Sequence, residues 1–287
     1  MLAFVAGLVS FIYLRPKIEV EESARYDVSQ LKLAGINAVK VEFPAKAPVI
    51  FEKEDGYWYM KAPNKQRADQ LSVQRILSVI AATSKSKYSV TDLAKYGLDN
   101  PQVRLTITNE VGDAHFVYGT YNTVTDEQYV GYKDSVYLLS AGYSEAASTQ
   151  TIEMIDKNIL APGESKQLTG FDYSHLEQWE ETGLNVDIQD GKWKTNLPKA
   201  KPTQNDMNEW LEFSWKQNPA KSVQLYTPDR KVSYPSFKVK LANGKSIHFD
   251  KLMESPDLVL ARPDEGLTYH FSNDVGFTML NPPLNLK

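Results

Sequence analysis

Apolar and polar residues alternate along two widely separated stretches of the chain, and Asp-Gly interrupts each of them. Residues 49–58 (VIFEKEDGYW) and 184–193 (LNVDIQDGKW) therefore both predict a strand, a tight turn and a returning strand, since alternation around Asp-Gly is a strong hairpin signal. Asp55 and Asp190 stand 135 positions apart, and so do the prolines that follow, Pro63 and Pro198. The two hairpins share one register and read as an internal repeat.

After each proline the apolar period lengthens. In residues 68–83 Leu71, Ile76, Val79 and Ile80 fall near one face at helical spacing, and in residues 205–216 Met207, Trp210, Leu211 and Trp215 do so. A second strand pair is expected next in each half. Residues 103–108 return through 115–118, and residues 237–241 turn at Asn243-Gly244 and return through 246–249. Both halves close on a tyrosine-bearing strand, 135–140 and 267–272, with Tyr137 and Tyr269 now 132 positions apart. The expected fold is α+β: an N-terminal transmembrane helix followed by two tandem, homologous α+β repeat units rich in antiparallel hairpins. Its expected divisions are an anchor at 1–17, a lead-in at 18–38, and units at 39–160 and 161–287.

The anchor rests on residues 1–14 (MLAFVAGLVSFIYL), which carry no charge and stop at Arg15-Pro16-Lys17. A helix spanning the hydrocarbon core needs roughly 20 apolar residues, so this run is short. A cleaved signal peptide would show a basic start and small residues at the cleavage point, whereas this stretch ends on bulky Phe11, Ile12, Tyr13 and Leu14. An uncleaved anchor is the expectation, ahead of a secretion signal or a buried core helix. Arg15 and Lys17 alone would hold the C-terminal side in the cytoplasm, so the opposite orientation needs another argument.

Composition narrows the function. With 42% hydrophobic and 24% charged residues and a net charge of −4, the rest of the chain has a globular make-up sufficient for one large domain or two ordinary ones. Mild acidity and the lack of a basic stripe argue against nucleic acid. Zero cysteines exclude disulfides, thiolate catalysis and Cys-ligated metals.

Several patterns imitate chemistry and have plainer explanations. Gly244-Lys245-Ser246 resembles the end of a phosphate loop, but the required earlier glycine would fall at Val239, and Asn243-Gly244 suits a hairpin turn. Asp187 and Asp190 lack the turn glycine and closing glutamate of a calcium loop. His115, His175, His248 and His270 are scattered, with no pair at i,i+4. Glu177, Glu180 and Glu181 flank Trp179 and could be drawn as a sugar-cleaving carboxylate pair, yet a solvated face accounts for them more simply. No catalytic, cofactor-binding or metal-binding residue is expected, and the chain is read as not an enzyme. The aromatics offer a different lead. Side chains alternate across a strand, so Tyr57 and Tyr59 point one way and Trp58 and Met60 the other. The repeated Trp58 and Trp193 read as core anchors, leaving Tyr57 and Tyr59 as the expected exposed, partner-binding pair.

Residues 96–101 read YGLDNP. They predict a short helix over 91–96 capped by Thr91 or Ser89, a left-handed Gly97, and a turn forced by Asp99-Asn100-Pro101. This hexapeptide, the Trp58 hairpin and helix before it, and Tyr118-Gly119 and the Val136-Tyr137 strand after it resemble the domain-of-unknown-function 4340 family. The resemblance is close over 49–160 and weaker to about residue 277, and the second half has no counterpart of YGLDNP. It implies a bacterial inner-membrane protein held by one N-terminal helix, with its body in the periplasm and, in some members, a link to gliding-motility-type ABC transporters. It implies no catalytic residues. The expected function is a membrane-anchored, extracytoplasmic, non-enzymatic adaptor or scaffold subunit of an envelope or transport complex, with protein partners and no small-molecule substrate. The alternatives are an accessory subunit of another membrane complex, a glycan- or peptide-binding protein and, weakest, a hydrolase.

Overall fold

The computed structural model describes residues 25–229 and 231–286. The apolar stretch 1–14, the expected anchor over 1–17 and its helix lie outside the described residues. Among the described residues no helix is long and apolar enough to cross a membrane. The α+β expectation is corrected as well: the fold is mostly antiparallel β-sheet, with 43% strand and 21% helix. The reason is the brevity of the helical segments. The run after Pro63 is α-helical only over Gln70–Leu77 and tightens to a 3-10 turn over Ser78–Ala81, while its partner is α-helical over Gln204–Trp210 and widens to a π turn over Leu211–Lys216.

Two large antiparallel sheets carry the structure. In spatial order the first contains Gln66–Arg67, Tyr57–Ala62, Lys46–Glu54, Ile36–Phe43, Val103–Asn109, Gly112–Asn122, Glu127–Tyr132, Ser135–Ser140 and Lys87–Ser89. The second contains Lys192–Thr195, Asn185–Gln189, Leu168–His175, Ser236–Leu241, Ser246–Met253, Asp257–Arg262, Leu267–Ser272 and Ser222–Leu225. Apart from the two-residue edge strand Gln66–Arg67, the two orders coincide strand for strand when each set is followed along the chain. Each hairpin turns where Asp-Gly stands. Asp55 and Gly56 have φ of 48° and 86°, and Asp190 and Gly191 have 53° and 71°. Positive φ at both central residues gives the turn whose twist matches the flanking strands.

One apolar core runs through both units and takes buried side chains from every sheet strand of more than three residues. In the second unit it is built on aromatics: Phe237 stacks on Phe249 at 5.1 Å, and Phe171 stacks on Tyr173 at 5.5 Å and meets the edge of Trp210 at 4.9 Å. Each such pair adds about 0.5–1.5 kcal/mol beyond the area that it buries. The helix Gln70–Leu77 contributes Val73, Ile76 and Leu77, with Ile80 just beyond. That i, i+3, i+4, i+7 stripe rotates Leu71 away from the core, so the expected core residue Leu71 is 60% exposed.

The YGLDNP element packs on the opposite face of the first sheet. It begins as one 3-10 turn, Ala94–Tyr96, whose amides are capped by Asp92, with Ala94 N–H donating to Oδ1 at 3.1 Å, rather than by Thr91 or Ser89. Gly97 ends it at φ 67°. Tyr96 and Leu98 then bury themselves with Val136 against Val90, Val117 and Tyr129. Only glycine fits at 119, where a Cβ would come within 2.1 Å of the Tyr96 carbonyl oxygen.

Candidate functional site

The hairpin strand Tyr57–Ala62 sorts its side chains as alternation demands: Trp58 and Met60 are buried, Tyr57 is 38% exposed and Tyr59 is half-buried. A side chain from the following helix secures this strand. Gln70 accepts from Trp58 N–H at 2.9 Å and donates through Nε2 to the Trp58 carbonyl at 3.1 Å and the Ala68 carbonyl at 2.7 Å. Its amide thus pairs with the backbone as an additional strand would. The second unit repeats the device. Gln204 accepts from Trp193 N–H at 2.7 Å and donates to the Trp193 carbonyl at 3.0 Å. Both helices also begin on matched caps, Asp69 accepting from Ser72 N–H and Thr203 from Asp206 N–H.

Beside Tyr59, Arg67 reaches out of the first unit. Its guanidinium pairs with Asp156 and with Glu265 at 2.8 Å, donates to the Asn158 carbonyl at 2.6 Å, and meets the Tyr269 hydroxyl at 3.0 Å. Burial works against the charge, but Glu265, Tyr269 and Asp156 outweigh it, and the Arg67 pKa lies above its ordinary value. Two carboxylates share this one guanidinium, and burial leaves Asp156 with a raised pKa despite its partner.

Arg262 ties the other side of the junction. It is 2% exposed, donates to the Ile159 carbonyl at 2.8 Å, and pairs with Glu164 at 2.5 Å and Asp264 at 3.1 Å. Strand register places it where the first unit has Tyr132, since Val130 opposes Tyr137 and Leu260 opposes Tyr269. Tyr132 stacks on Phe116 at 4.5 Å, and the Arg262 guanidinium lies 5.9 Å over Phe249. A cation thus replaces an aromatic ring at equivalent positions, and with it the second sheet grips the connector between the units. Burial would raise the Glu164 carboxyl, but Arg262 and the Ala161 N–H, donating at 2.7 Å, hold it below the usual range.

These groups surround two small adjoining clefts. One, of about 260 Å³, is lined by Tyr57, Tyr59, Arg67, Leu71, Asp156 and Pro162; the other, of about 240 Å³, by Tyr59, Lys61, Lys65, Arg67, Asp264 and Glu265. Tyr57 and Tyr59 therefore stand at the mouth of a junction whose ion pairs are engaged with one another. Lys61 lies over the Tyr59 ring at 5.5 Å.

Of the remaining candidates, His175, Glu177, Glu180 and His248 line one cleft of the second unit, and others are tied up in local contacts. His115 contacts Thr106 at 3.0 Å and His248 contacts Asp250 at 2.7 Å on separate sheets. Glu177 is held by Lys251 at 2.5 Å, Asp187 by Lys240 at 2.8 Å, and Gly244 takes its hairpin turn at φ 79°. Among the described residues no group of three or more His, Cys, Asp or Glu side chains is placed to hold a metal. Sequence reasoning did not single out Arg67, Gln70, Asp156, Arg262 or Glu265. Only the glutamines left a signal, following the repeated tryptophans by 12 and 11 positions.

No curated protein and no solved structure matches the chain. The family described as Domain of unknown function (DUF4340) matches residues 58–225, a span running from Trp58 through YGLDNP, Arg67, Asp156 and the second hairpin to Leu225. That span is more than half of the 287 residues, and the chain belongs to the DUF4340 family.

Proposed function

We propose that the protein is a non-enzymatic adaptor or scaffold subunit of a membrane-associated envelope or transport complex, of ABC type where the family resemblance points. In this reading it is held at the membrane through its uncharged N-terminal stretch, with its body on the periplasmic side, and it grips a protein partner on the face bearing Tyr57 and Tyr59. The observation that carries it is the placement of those two tyrosines, one exposed and one half-buried, beside Leu71 at the mouth of the junction clefts. Tyr combines apolar area with a polar tip and is enriched at interfaces. The neighbouring charged groups support the same reading. Arg67, Asp156, Glu265, Arg262 and Glu164 are committed to one another and stiffen the ground on which the tyrosines stand. A rigid support lowers the entropy lost when a partner docks.

The test is co-purification of the full-length protein from its native membrane in mild detergent. An adaptor should arrive with stoichiometric membrane subunits, and Tyr57→Ala with Tyr59→Ala should release them while leaving the circular dichroism spectrum unchanged. A periplasm-active, cytoplasm-silent reporter fused to the C-terminus is the expected outcome for topology. The opposite pattern would remove the proposed location.

A further inference from the structure

A cleft of about 600 Å³ lies where the segment carrying YGLDNP meets the first sheet, away from the junction. Leu93, Leu98 and Val117 give it an apolar wall, and Arg104, His115 and Lys133 line it as well. Leu98 is seated by Gly131, where a Cβ would come within 3.1 Å of its methyl group. The charges at the rim are unequal. The single carboxylate of the lining, Asp113, receives the Thr108 hydroxyl at 2.7 Å, and Glu42, which faces Arg104 across the strand pair, is bound to Lys40 at 2.6 Å. Among the described residues neither Arg104 nor Lys133 forms an ion pair. The Lys133 ammonium sits 5.4 Å over the Tyr132 ring, at the edge of the same cleft.

The second unit provides an internal comparison. Register puts Ala261 at the position of Gly131, and the cleft by the strand Ser236–Leu241 is lined by His175, Glu177, Glu180, Lys238 and His248, with carboxylates among its cations. An apolar wall under unpaired cations is thus confined to one of two like-built units. The volume falls within the roughly 300–1,000 Å³ usual for small-molecule sites. We propose that this cleft binds a small amphipathic anion, an acyl carboxylate whose chain lies on Leu98 and Val117 and whose head group meets Arg104 and Lys133. The cleft shares no lining residue with the clefts beside the tyrosine pair, and the proposal does not rest on the adaptor reading.

Full-length protein is labelled with a dodecanoate carrying a photoreactive diazirine, and the cross-links are mapped by mass spectrometry. Labelling should saturate and map to peptides containing Leu93, Leu98 or Val117. The double variant Arg104→Glu, Lys133→Glu should weaken the apparent affinity about tenfold or more, and so should replacing the competitor dodecanoate with uncharged dodecanol. Arg104→Lys with Lys133→Arg should retain binding. Both reversed positions are exposed, and the dodecanol comparison on the unaltered protein stands whether or not the variant folds. Unsaturable labelling, cross-links mapping elsewhere, or equal competition by dodecanol would overturn the proposal.

Discussion

Replacing Gln70 or Gln204 by Leu removes the same device from two different settings, and the difference between them can be worked out in advance. Gln70 makes three hydrogen bonds to backbone and is half-buried, whereas Gln204 makes two and is exposed. A net hydrogen bond is worth about 0.5–1.5 kcal/mol, and a buried group left unpaired loses about 1–3 kcal/mol. Gln70→Leu strands the Trp58 N–H and the Ala68 carbonyl where water reaches poorly, giving about 3 kcal/mol. Gln204→Leu lets water replace the side chain at the exposed edge, giving about 1 kcal/mol. Gln70→Glu keeps the acceptor for Trp58 N–H but aims an oxygen at two carbonyls, so it should do no better than Leu. Amide hydrogen exchange at Trp58 and Trp193 is the most direct assay, because it reads local opening even if the two sheets do not unfold together. Urea unfolding gives the global figure. An unchanged Trp58 exchange rate, or a Gln204→Leu effect equal to that of Gln70→Leu, would refute this account of the clamp.

Three further outcomes follow from the same contacts. Gly119→Ala should release the segment 90–101 from the sheet, since its methyl group would collide with the Tyr96 carbonyl, and limited proteolysis should cut there first. Because the folded-state pKa of Glu164 is depressed, its contribution to stability is complete above the ordinary carboxylate pKa and is lost as pH falls through the folded value. Thermal melting should therefore show an acid-side decline in the carboxylate range that flattens in Arg262→Met, and an unchanged slope in that variant would contradict the assignment. Arg67→Met should destabilise by about 3 kcal/mol or more in denaturant unfolding, since it leaves Asp156 and Glu265 without their shared cation.

The hairpins were legible because their information is local. Asp-Gly needs two positive φ values, and it marked the turns at Asp55-Gly56 and Asp190-Gly191 within a ten-residue window. The balance of helix and strand was not legible. An apolar stripe predicts a helical face without fixing how far the helix continues, and here both helices change to 3-10 or π geometry within about two turns. Leu71 was misplaced because it stands two positions before Val73, about 200° around the helix from the buried stripe of Val73, Ile76, Leu77 and Ile80. The junction lay beyond any sequence window. Arg67 and Glu265 are 198 positions apart, Arg262 and Glu164 are 98 apart, and nothing in either neighbourhood names its partner. Trp58 and Trp193 showed the opposite case, where the recurring Asp-Gly-x-Trp pattern made a distant relation readable.

The claim at the centre is that the Tyr57 and Tyr59 face holds a protein partner. Its most direct test is quantitative co-purification of full-length protein and the Tyr57→Ala, Tyr59→Ala variant from the same membranes in mild detergent. The account predicts stoichiometric membrane subunits with the unaltered protein and their loss, by at least tenfold for an anchor worth about 2 kcal/mol, from an equally stable variant. Undiminished recovery of the same partners by the variant would contradict it.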